Sequence, residues 1–301
     1  KAQDTALLLY GIYFAITIVL FLLLIIGGMS PLDSICHTFS TVGTGGFSTR
    51  SASTAYYGSA YIDTVLTVFM MICSVNFNIY FLVICGKLKE ALKSEELRWL
   101  FIIYAVSGAV ITFDLTPLYG SFGETLRYAA FQSASAMSTT GFASTNYGAW
   151  KHLAQAILIA LMFVGGSAGS TAGGFKISRV LLIGKYMKRE LSRTLHPKQV
   201  AVFRLEGSPV QEEAVRKAAL YFSCYIAILF FSTIIICFDR FSLEASFLTV
   251  VSSFNNVGLS WGEISSTADF SVLSKLVLIT DMLLGRLEIL PIFLALSVSR
   301  H

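Results

Sequence analysis

The chain has 301 residues, of which 55% are hydrophobic and only 13% are charged, and its mean hydropathy is +0.70. Soluble domains carry about 25% charged residues, so this composition excludes an ordinary water-soluble domain and indicates a chain embedded in lipid. The net charge of +4 is small, and the basic residues lie between apolar stretches, which excludes a nucleic-acid-binding surface.

Long apolar runs recur along the chain, and most of them reach the ~20 residues that a helix needs to cross a bilayer. The first run is long enough to span the membrane, so we interpret it as a transmembrane helix and not as a cleaved signal peptide. The runs occupy residues 6–28, 61–85, 99–118, 152–164, 175–184, 218–238 and 272–298. This pattern predicts an all-α integral membrane protein.

Three shorter segments between these runs share one pattern. Each begins with a serine that an acidic residue follows two or three positions later, which is typical of a helix N-terminus. Each continues for the length of a three- or four-turn helix and reaches a glycine preceded by small polar residues. The paired residues are Ser30 with Gly46, Ser121 with Gly141, and Ser242 with Gly258. The repetition predicts three units, each with an apolar helix, a short helix, a glycine-containing turn and a second apolar helix.

These units divide the chain into residues 1–92, 93–205 and 206–301. The topology puts both ends of every unit on one face of the membrane and every short helix on the other. Sixteen of the 22 Lys and Arg residues then lie on the face of the unit ends, five lie on the opposite face, and Arg286 lies within a helix. By the positive-inside rule, the unit ends are cytoplasmic and the short helices enter from outside.

The glycine-containing turns predict a pore, because irregular backbone is stable at membrane depth only where it is buried in protein or lines water. Glycine permits conformations that turn carbonyl oxygens toward a shared axis, and rings of such oxygens form ion selectivity filters. The short helices add the negative ends of their dipoles. Ordinary extracellular turns are the alternative. The predicted ion-binding residues are Thr44, Gly45, Gly46, Thr139, Thr140, Gly141, Asn256, Val257 and Gly258.

Residues 165–174 carry five glycines and allow three interpretations. A Walker A loop is disfavoured, because Phe175 stands where that motif needs Lys and no strand precedes it. Glycines spaced by four residues are also typical of a helix-packing face. We favour an intramembrane loop that breaks the helix, since each glycine costs a helix about 1 kcal/mol relative to alanine. The glycines are Gly165, Gly166, Gly169, Gly173 and Gly174.

Arg286 is predicted to lie in the middle of the last apolar helix. An intramembrane arginine faces the protein interior or water and is therefore a functional candidate. A structural ion pair with Glu288 or Asp281 is the alternative. The five cysteines and four histidines show no metal-ligand, disulfide or catalytic spacing, so neither a bound cofactor nor an enzyme is predicted.

Four segments resemble the Trk/Ktr/HKT superfamily of potassium transporters, and within it the bacterial Trk potassium-uptake membrane subunits (TrkH-like). They are residues 37–49 (HTFSTVGTGGFST), 137–143 (MSTTGFA), 254–258 (FNNVG) and 285–289 (GRLEI). The resemblance covers the whole chain and implies a potassium-conducting pore with four units, of which the second to fourth are present and the first is absent. A departure is Leu259 with Ser260, where the family has a step rich in Gly and Pro.

The resemblance also implies that residues 165–174 form a gate beneath the filter and that Arg286 contacts it. It implies a homodimer in the bacterial inner (cytoplasmic) membrane, bound to a cytoplasmic ring of nucleotide-binding regulatory subunits (TrkA-like). The basic segment 185–204 is the predicted docking surface, with ordinary positive-inside anchoring as the alternative. For function, a carrier of Na⁺ or of a small solute, built on broken helices, is the alternative to a potassium pore.

Overall fold

A computed structural model describes residues 2–196, 204–205, 208–210, 212–264 and 267–292. Within these residues the chain is almost entirely helical, and a two-residue antiparallel pair, Arg204–Leu205 with Ser208–Pro209, is its strand content. The α-helices are α1 (Ala2–Ile26), α2 (Pro31–Val42), α3 (Ala60–Ser74), α4 (Phe77–Ile84), α5 (Leu88–Lys93), α6 (Glu95–Tyr119), α7 (Phe122–Met137), α8 (His152–Val164), α9 (Ile177–Leu195), α10 (Glu212–Ile236), α11 (Leu243–Phe254) and α12 (Val272–Leu287). Short 3₁₀ turns lie at Ser53–Tyr57, Tyr147–Ala149, Cys237–Asp239 and Thr267–Asp269. The prediction of an all-α fold is confirmed.

Three stretches among the described residues are long and apolar enough to cross a membrane: Ala6–Ile26, Glu95–Tyr119 and Glu212–Asp239. A fourth span results if α3 and α4, which are bent by 90° with respect to each other, count as one. The outward surface carries exposed large apolar side chains, including Phe14, Phe113 and Phe230. Such a surface suits lipid, because only the inward faces of these helices are covered by protein.

Each of the three 25-residue helices, α1, α6 and α10, is followed by a shorter α-helix, in the order that the repeat predicts. The short helices α2, α7 and α11 contain 12, 16 and 12 residues. Ser30 Oγ accepts a hydrogen bond from Asp33 N, and Ser242 Oγ accepts one from Ala245 N, so these two serines cap their helices as expected. Ser121 stands at the N-terminus of α7 as predicted, but its side chain accepts no hydrogen bond from the first turn. The prediction that Ser121 caps α7 by such a bond is therefore wrong.

The middle short helix lies at the centre of the described structure. All of residues 131–140, from the second half of α7 into the following turn, are buried. α7 packs against α3 of the first unit and α8 of its own unit, while α8 packs against α11 of the third. Most side chains in this stretch are small or hydroxylated, such as Ala134, Ser135 and Ala136, which permits close helix approach. The second half of α7 is therefore enclosed by helices that come before and after it in the chain.

Two apolar runs end differently from the prediction. The run at 61–85 is interrupted between α3 and α4, where Asn76 Oδ1 accepts a hydrogen bond from Asn78 N and caps α4. α12 ends at Leu287, because Glu288 has a positive φ of 65°, and residues 289–292 are helical again. Arg286 thus lies in the last turn of α12 and not in the middle of a helix. The predicted run to residue 298 continues into residues 293–301, which lie outside the described residues.

Candidate functional site: three turns above an intramembrane loop

The turns that follow α2, α7 and α11 share one backbone conformation. Thr44, Thr139 and Asn256 have positive φ values of 51°, 55° and 56°. Two residues after each of them stands a glycine, also with positive φ: Gly46 at 68°, Gly141 at 85° and Gly258 at 80°. Positive φ is uncommon for Thr and Asn. Its recurrence at equivalent positions shows that the repeat extends to the backbone of the predicted ion-binding residues, here called the three turns (residues 44–46, 139–141 and 256–258).

Local hydrogen bonds explain this conformation. In each turn, the residue that follows Thr44, Thr139 or Asn256 donates its N–H to a carbonyl oxygen five residues earlier. That oxygen belongs to the helix before the turn. The bonds are Gly45 N to Ser40 O at 2.7 Å, Thr140 N to Ser135 O at 3.0 Å, and Val257 N to Ser252 O at 2.8 Å. This is the Schellman arrangement, which ends a helix at a left-handed residue. Each accepting serine therefore stands six residues before the glycine of its turn, as Ser40 does before Gly46. This spacing is a sequence signal for the turns. In the predicted repeat, the same glycines are paired instead with the serines that begin the helices.

The structure brings the three turns into direct contact. A Cβ atom at Gly46 would lie 1.8 Å from Thr140 O, and a Cβ atom at Gly141 would lie 1.8 Å from Val257 O. Each glycine therefore admits a carbonyl oxygen of the next turn into space that any side chain would fill. A Cβ atom at Gly258 would meet nothing within 4 Å. The turns form an arc in the order first, second, third, and the arc is open beyond Gly258.

The electrostatics of the turns come from the backbone. The C-termini of α2, α7 and α11 all point into the arc, and each brings the partial negative charge of its last carbonyl groups. The residues of the turns are uncharged. The arrangement can therefore stabilise a dehydrated monovalent cation by carbonyl oxygen atoms and helix dipoles.

The outer side of the first turn is braced by polar side chains. Arg50 Nη2 lies 2.8 Å from Asp33 Oδ2, and Thr49 Oγ1 donates to Asp33 Oδ1 at 2.5 Å. These hydrogen bonds hold the pKa of the Asp33 carboxyl group well below its usual range. The bond from Thr49 has the larger effect, and the bond from Arg50 has the next largest. His37 is fully buried beside this pair, and its ring stacks on Phe142 at a centroid distance of 5.6 Å. α2, which precedes the first turn, is thereby tied to the residue that follows the second.

Residues 165–174 form a non-helical loop between α8 and α9, so the helix-packing interpretation of their glycines is wrong. Gly165, Gly169 and Gly174 have positive φ values of 67°, 73° and 81°. The loop folds back on itself, because a Cβ atom at Gly165 would lie 2.4 Å from Gly173 O. The glycines therefore break the helix through both conformation and close backbone contact. We call residues 165–174 the intramembrane loop.

The intramembrane loop contacts the first two turns and the residue just before the third. Thr44 Oγ1 donates a hydrogen bond to Thr171 O at 2.8 Å, and Gly173 N donates one to Thr139 Oγ1 at 2.6 Å. A Cβ atom at Gly173 would lie 2.5 Å from Asn255 O, at the end of α11. Residues 171–173 therefore contact the arc at the point where α2, α7 and α11 end.

Arg286 also reaches the intramembrane loop. Its Nη1 donates a hydrogen bond to Thr171 O at 2.9 Å, the same oxygen that accepts from Thr44. The two acids considered as its ion-pair partners bond elsewhere. Glu288 pairs with Arg179 at 2.8 Å, and Asp281 accepts from Ser232 at 2.9 Å. The ion-pair interpretation of Arg286 is therefore wrong, and the arginine joins α12 to the loop 115 residues away.

The break between α3 and α4 forms a further contact of the loop, which the sequence pattern does not indicate. Ser167 N donates to Ser74 O at 2.9 Å, and Phe77 N donates to Gly169 O at 3.1 Å. Thr171 Oγ1 donates to Cys73 O at 3.2 Å. The break exposes backbone groups that a continuous helix would use internally, and the loop satisfies them. Asn76, within this break, caps α4.

Comparison with known proteins identifies relatives of this chain. The family model described as TrkH, cation transport protein, matches residues 3–116 and 119–300. The Trk system potassium uptake protein TrkH of Salmonella typhimurium is 33% identical over 293 residues, which are 96% of this chain and 61% of that protein. The protein TrkG of Escherichia coli, with the same system name, is 30% identical over 99% of this chain and 62% of its own length.

A solved structure agrees with the fold over nearly the whole chain. The crystal structure of the potassium transporter TrkH from Vibrio parahaemolyticus superposes with a TM-score of 0.92 at 32% sequence identity. The superposition covers 98% of this chain and 64% of that one. The chain therefore spans about three fifths of the length of the curated relatives that it matches.

Proposed function

The chain belongs to the TrkH family of cation transport proteins, a family of membrane transporters and not of enzymes, and we propose that it conducts potassium ions across the membrane through a channel-like pore. The observation that carries the proposal is the contact between the three turns, in which Gly46 and Gly141 each admit a carbonyl oxygen of the next turn. The relatives named as potassium uptake proteins support the choice of ion.

In this proposal the three turns are the selectivity filter. The carbonyl groups of the turns replace the hydration shell of K⁺, and the C-termini of α2, α7 and α11 stabilise its charge. A fourth turn of the same geometry, in the open position beyond Gly258, would close the arc into a ring. The division into units at residues 1–92, 93–205 and 206–301 is part of the same proposal, since each unit supplies one turn.

The intramembrane loop is the proposed gate, held shut partly by Arg286. The loop lies at the C-terminal ends of α2, α7 and α11, where an ion leaving the filter toward the cytoplasm must pass. The guanidinium adds an electrostatic barrier. At ~8 Å and an effective dielectric constant of ~20, one positive charge raises the energy of a potassium ion by about 2 kcal/mol, or roughly thirtyfold in rate.

We further propose that the functional assembly is a homodimer in the bacterial inner membrane, with a cytoplasmic nucleotide-binding regulatory subunit (TrkA-like). The names of the relatives, which place them in a Trk system, support a multi-component complex. The basic segment 185–204 would dock that subunit. Within it, Lys188 and Arg193 belong to α9, while residues 197–203 lie outside the described residues. K⁺ is the transported ion, and no cofactor is proposed.

Flux measurements on the purified protein in liposomes test the function. We expect K⁺ flux far above the turnover of a carrier and well above Na⁺ flux under the same gradient. Gly141→Ser should lower the discrimination between the two ions, because its side chain would displace Val257 O. Slow flux that saturates like a carrier, or equal K⁺ and Na⁺ flux in the wild type, would favour the alternative of a Na⁺ or small-solute carrier.

A further inference from the structure

Glu96 is a buried acid without a role in the proposed transport path. It is the second residue of α6 and is only 8% exposed. A carboxylate in the first turn of a helix is favourable by itself. Glu96 does more, because its Oε1 also accepts a hydrogen bond from the backbone N–H of Ala168 at 2.7 Å. Ala168 belongs to the intramembrane loop, which lies 72 residues further along the chain.

This hydrogen bond lies between two others on neighbouring loop residues. Ser167 N donates to Ser74 O, and Gly169 O accepts from Phe77 N. Both partners are backbone groups beside the break between α3 and α4, so a substitution leaves their hydrogen-bonding atoms in place. We call residues 167–169, with these three hydrogen bonds, the anchor. Glu96 contributes its one side-chain bond. Hydrogen bonds to an ionised acceptor are roughly twice as strong as those between neutral groups.

The anchor and the turns hold opposite ends of the same short segment. Residues 167–169 are fixed by α3, α4 and α6, and residues 171–173 are fixed by Thr44, Thr139 and Arg286. A flexible glycine-rich loop keeps its position only while both ends are held, since its backbone has many other accessible conformations. The bond at Ala168 therefore helps to keep residues 171–173 under the turns, together with the bond from Thr171 Oγ1 to Cys73 O.

We propose that Glu96 is a positioning residue of the gate, whose carboxylate holds Ala168 so that residues 171–173 stay against the turns. The inference rests on the proposed function of the loop as a gate. Loss of the bond increases the fraction of time that the loop spends away from the turns. The expected result for Glu96→Ala is a rise in resting K⁺ flux of about tenfold, the factor that a hydrogen bond to a charged group contributes to an equilibrium.

The test uses three variants of the full polypeptide, each studied by two measurements. Glu96→Ala removes the acceptor, and Glu96→Gln keeps an amide oxygen for Ala168 N while removing the charge. Glu213→Ala is the matched control, because Glu213 is likewise the second residue of a 25-residue helix, α10, and forms an ion pair with Lys217 of the same helix at 2.7 Å. Resting K⁺ flux in liposomes and amide hydrogen exchange of residues 166–174 are measured for each.

The inference requires that Glu96→Ala raise K⁺ flux and accelerate amide exchange in residues 166–174, while Glu96→Gln restores most of the wild-type behaviour and Glu213→Ala changes neither. Unchanged exchange in Glu96→Ala overturns it. A fall in flux in both Glu96 variants overturns it too, because the charge would then serve to attract cations. If the wild type conducts no K⁺, the proposed function fails, while hydrogen exchange still tests whether Glu96 anchors the loop.

Discussion

The three turns and the intramembrane loop are both irregular, glycine-containing backbone, yet they are held by different kinds of contact. Each turn is closed by hydrogen bonds to the helix directly before it, as in the bond from Gly45 N to Ser40 O. The loop bonds mostly to other elements: to Thr44 and Thr139 in the turns, to Glu96 in α6 and to Arg286 in α12.

In the proposed function, this difference corresponds to a rigid filter and a movable gate. A turn closed by its own helix keeps its shape when a distant contact is lost. A loop held by side chains from several units can be released by one substitution, because each bond contributes a modest share of a small total. The proposed filter and gate require this combination, and the following predictions test it in order of expected effect.

The largest effect is expected for Gly46→Ala, compared with Gly258→Ala. Both alanines would adopt a positive φ, which costs about 1–2 kcal/mol. At Gly46 the new Cβ atom would also lie 1.8 Å from Thr140 O, whereas at Gly258 it would meet nothing within 4 Å. We expect Gly46→Ala to lower the free energy of unfolding by at least ~3 kcal/mol, and Gly258→Ala by about half of that.

Thermal unfolding in detergent and the ratio of K⁺ to Na⁺ flux measure this difference. Equal destabilisation by the two alanines would mean that the turns do not pack as an arc.

The next effect concerns Arg286→Ala and a deletion of residues 169–172. Each change should raise K⁺ flux, by about thirtyfold for Arg286→Ala if its charge acts at ~8 Å. The K⁺ flux of the double variant should exceed that of either single variant only slightly, since both changes remove the same barrier. Lys275→Ala is the control, because Lys275 lies in the same helix and bonds to Ala268 O away from the loop.

Liposome flux of the two single variants and the double variant decides the matter. Fully additive effects would place Arg286 and the loop in separate barriers.

The smallest effect is expected for Thr139→Ala, which leaves Gly173 N without its acceptor at 2.6 Å. A neutral hydrogen bond contributes about 1 kcal/mol, so we expect resting flux to rise about fivefold. Thr139→Ser retains the hydroxyl group and should behave like the wild type, with amide exchange at Gly173 as the second measurement. If serine and alanine have the same effect, the methyl group of Thr139 and not its hydroxyl group holds the loop.

Sequence alone predicted the features that depend on near neighbours. The three short helices, the turns at Gly46, Gly141 and Gly258, and the broken helix at residues 165–174 all follow from residue types within one or two helical turns. A Schellman turn is closed by groups five residues apart, and glycines weaken a helix wherever they cluster, so no distant partner is needed. The membrane class follows from composition in the same way.

Other features were decided by tertiary structure. The break between α3 and α4 interrupts a continuous apolar run, and it is stabilised by hydrogen bonds with Ser167 and Gly169, about 90 residues away. Nothing local marks Glu96 as the partner of Ala168, or excludes Glu288 as a partner of Arg286. Which groups pair across the chain depends on how whole units pack, and a buried polar group takes whichever partner that packing brings within hydrogen-bonding distance.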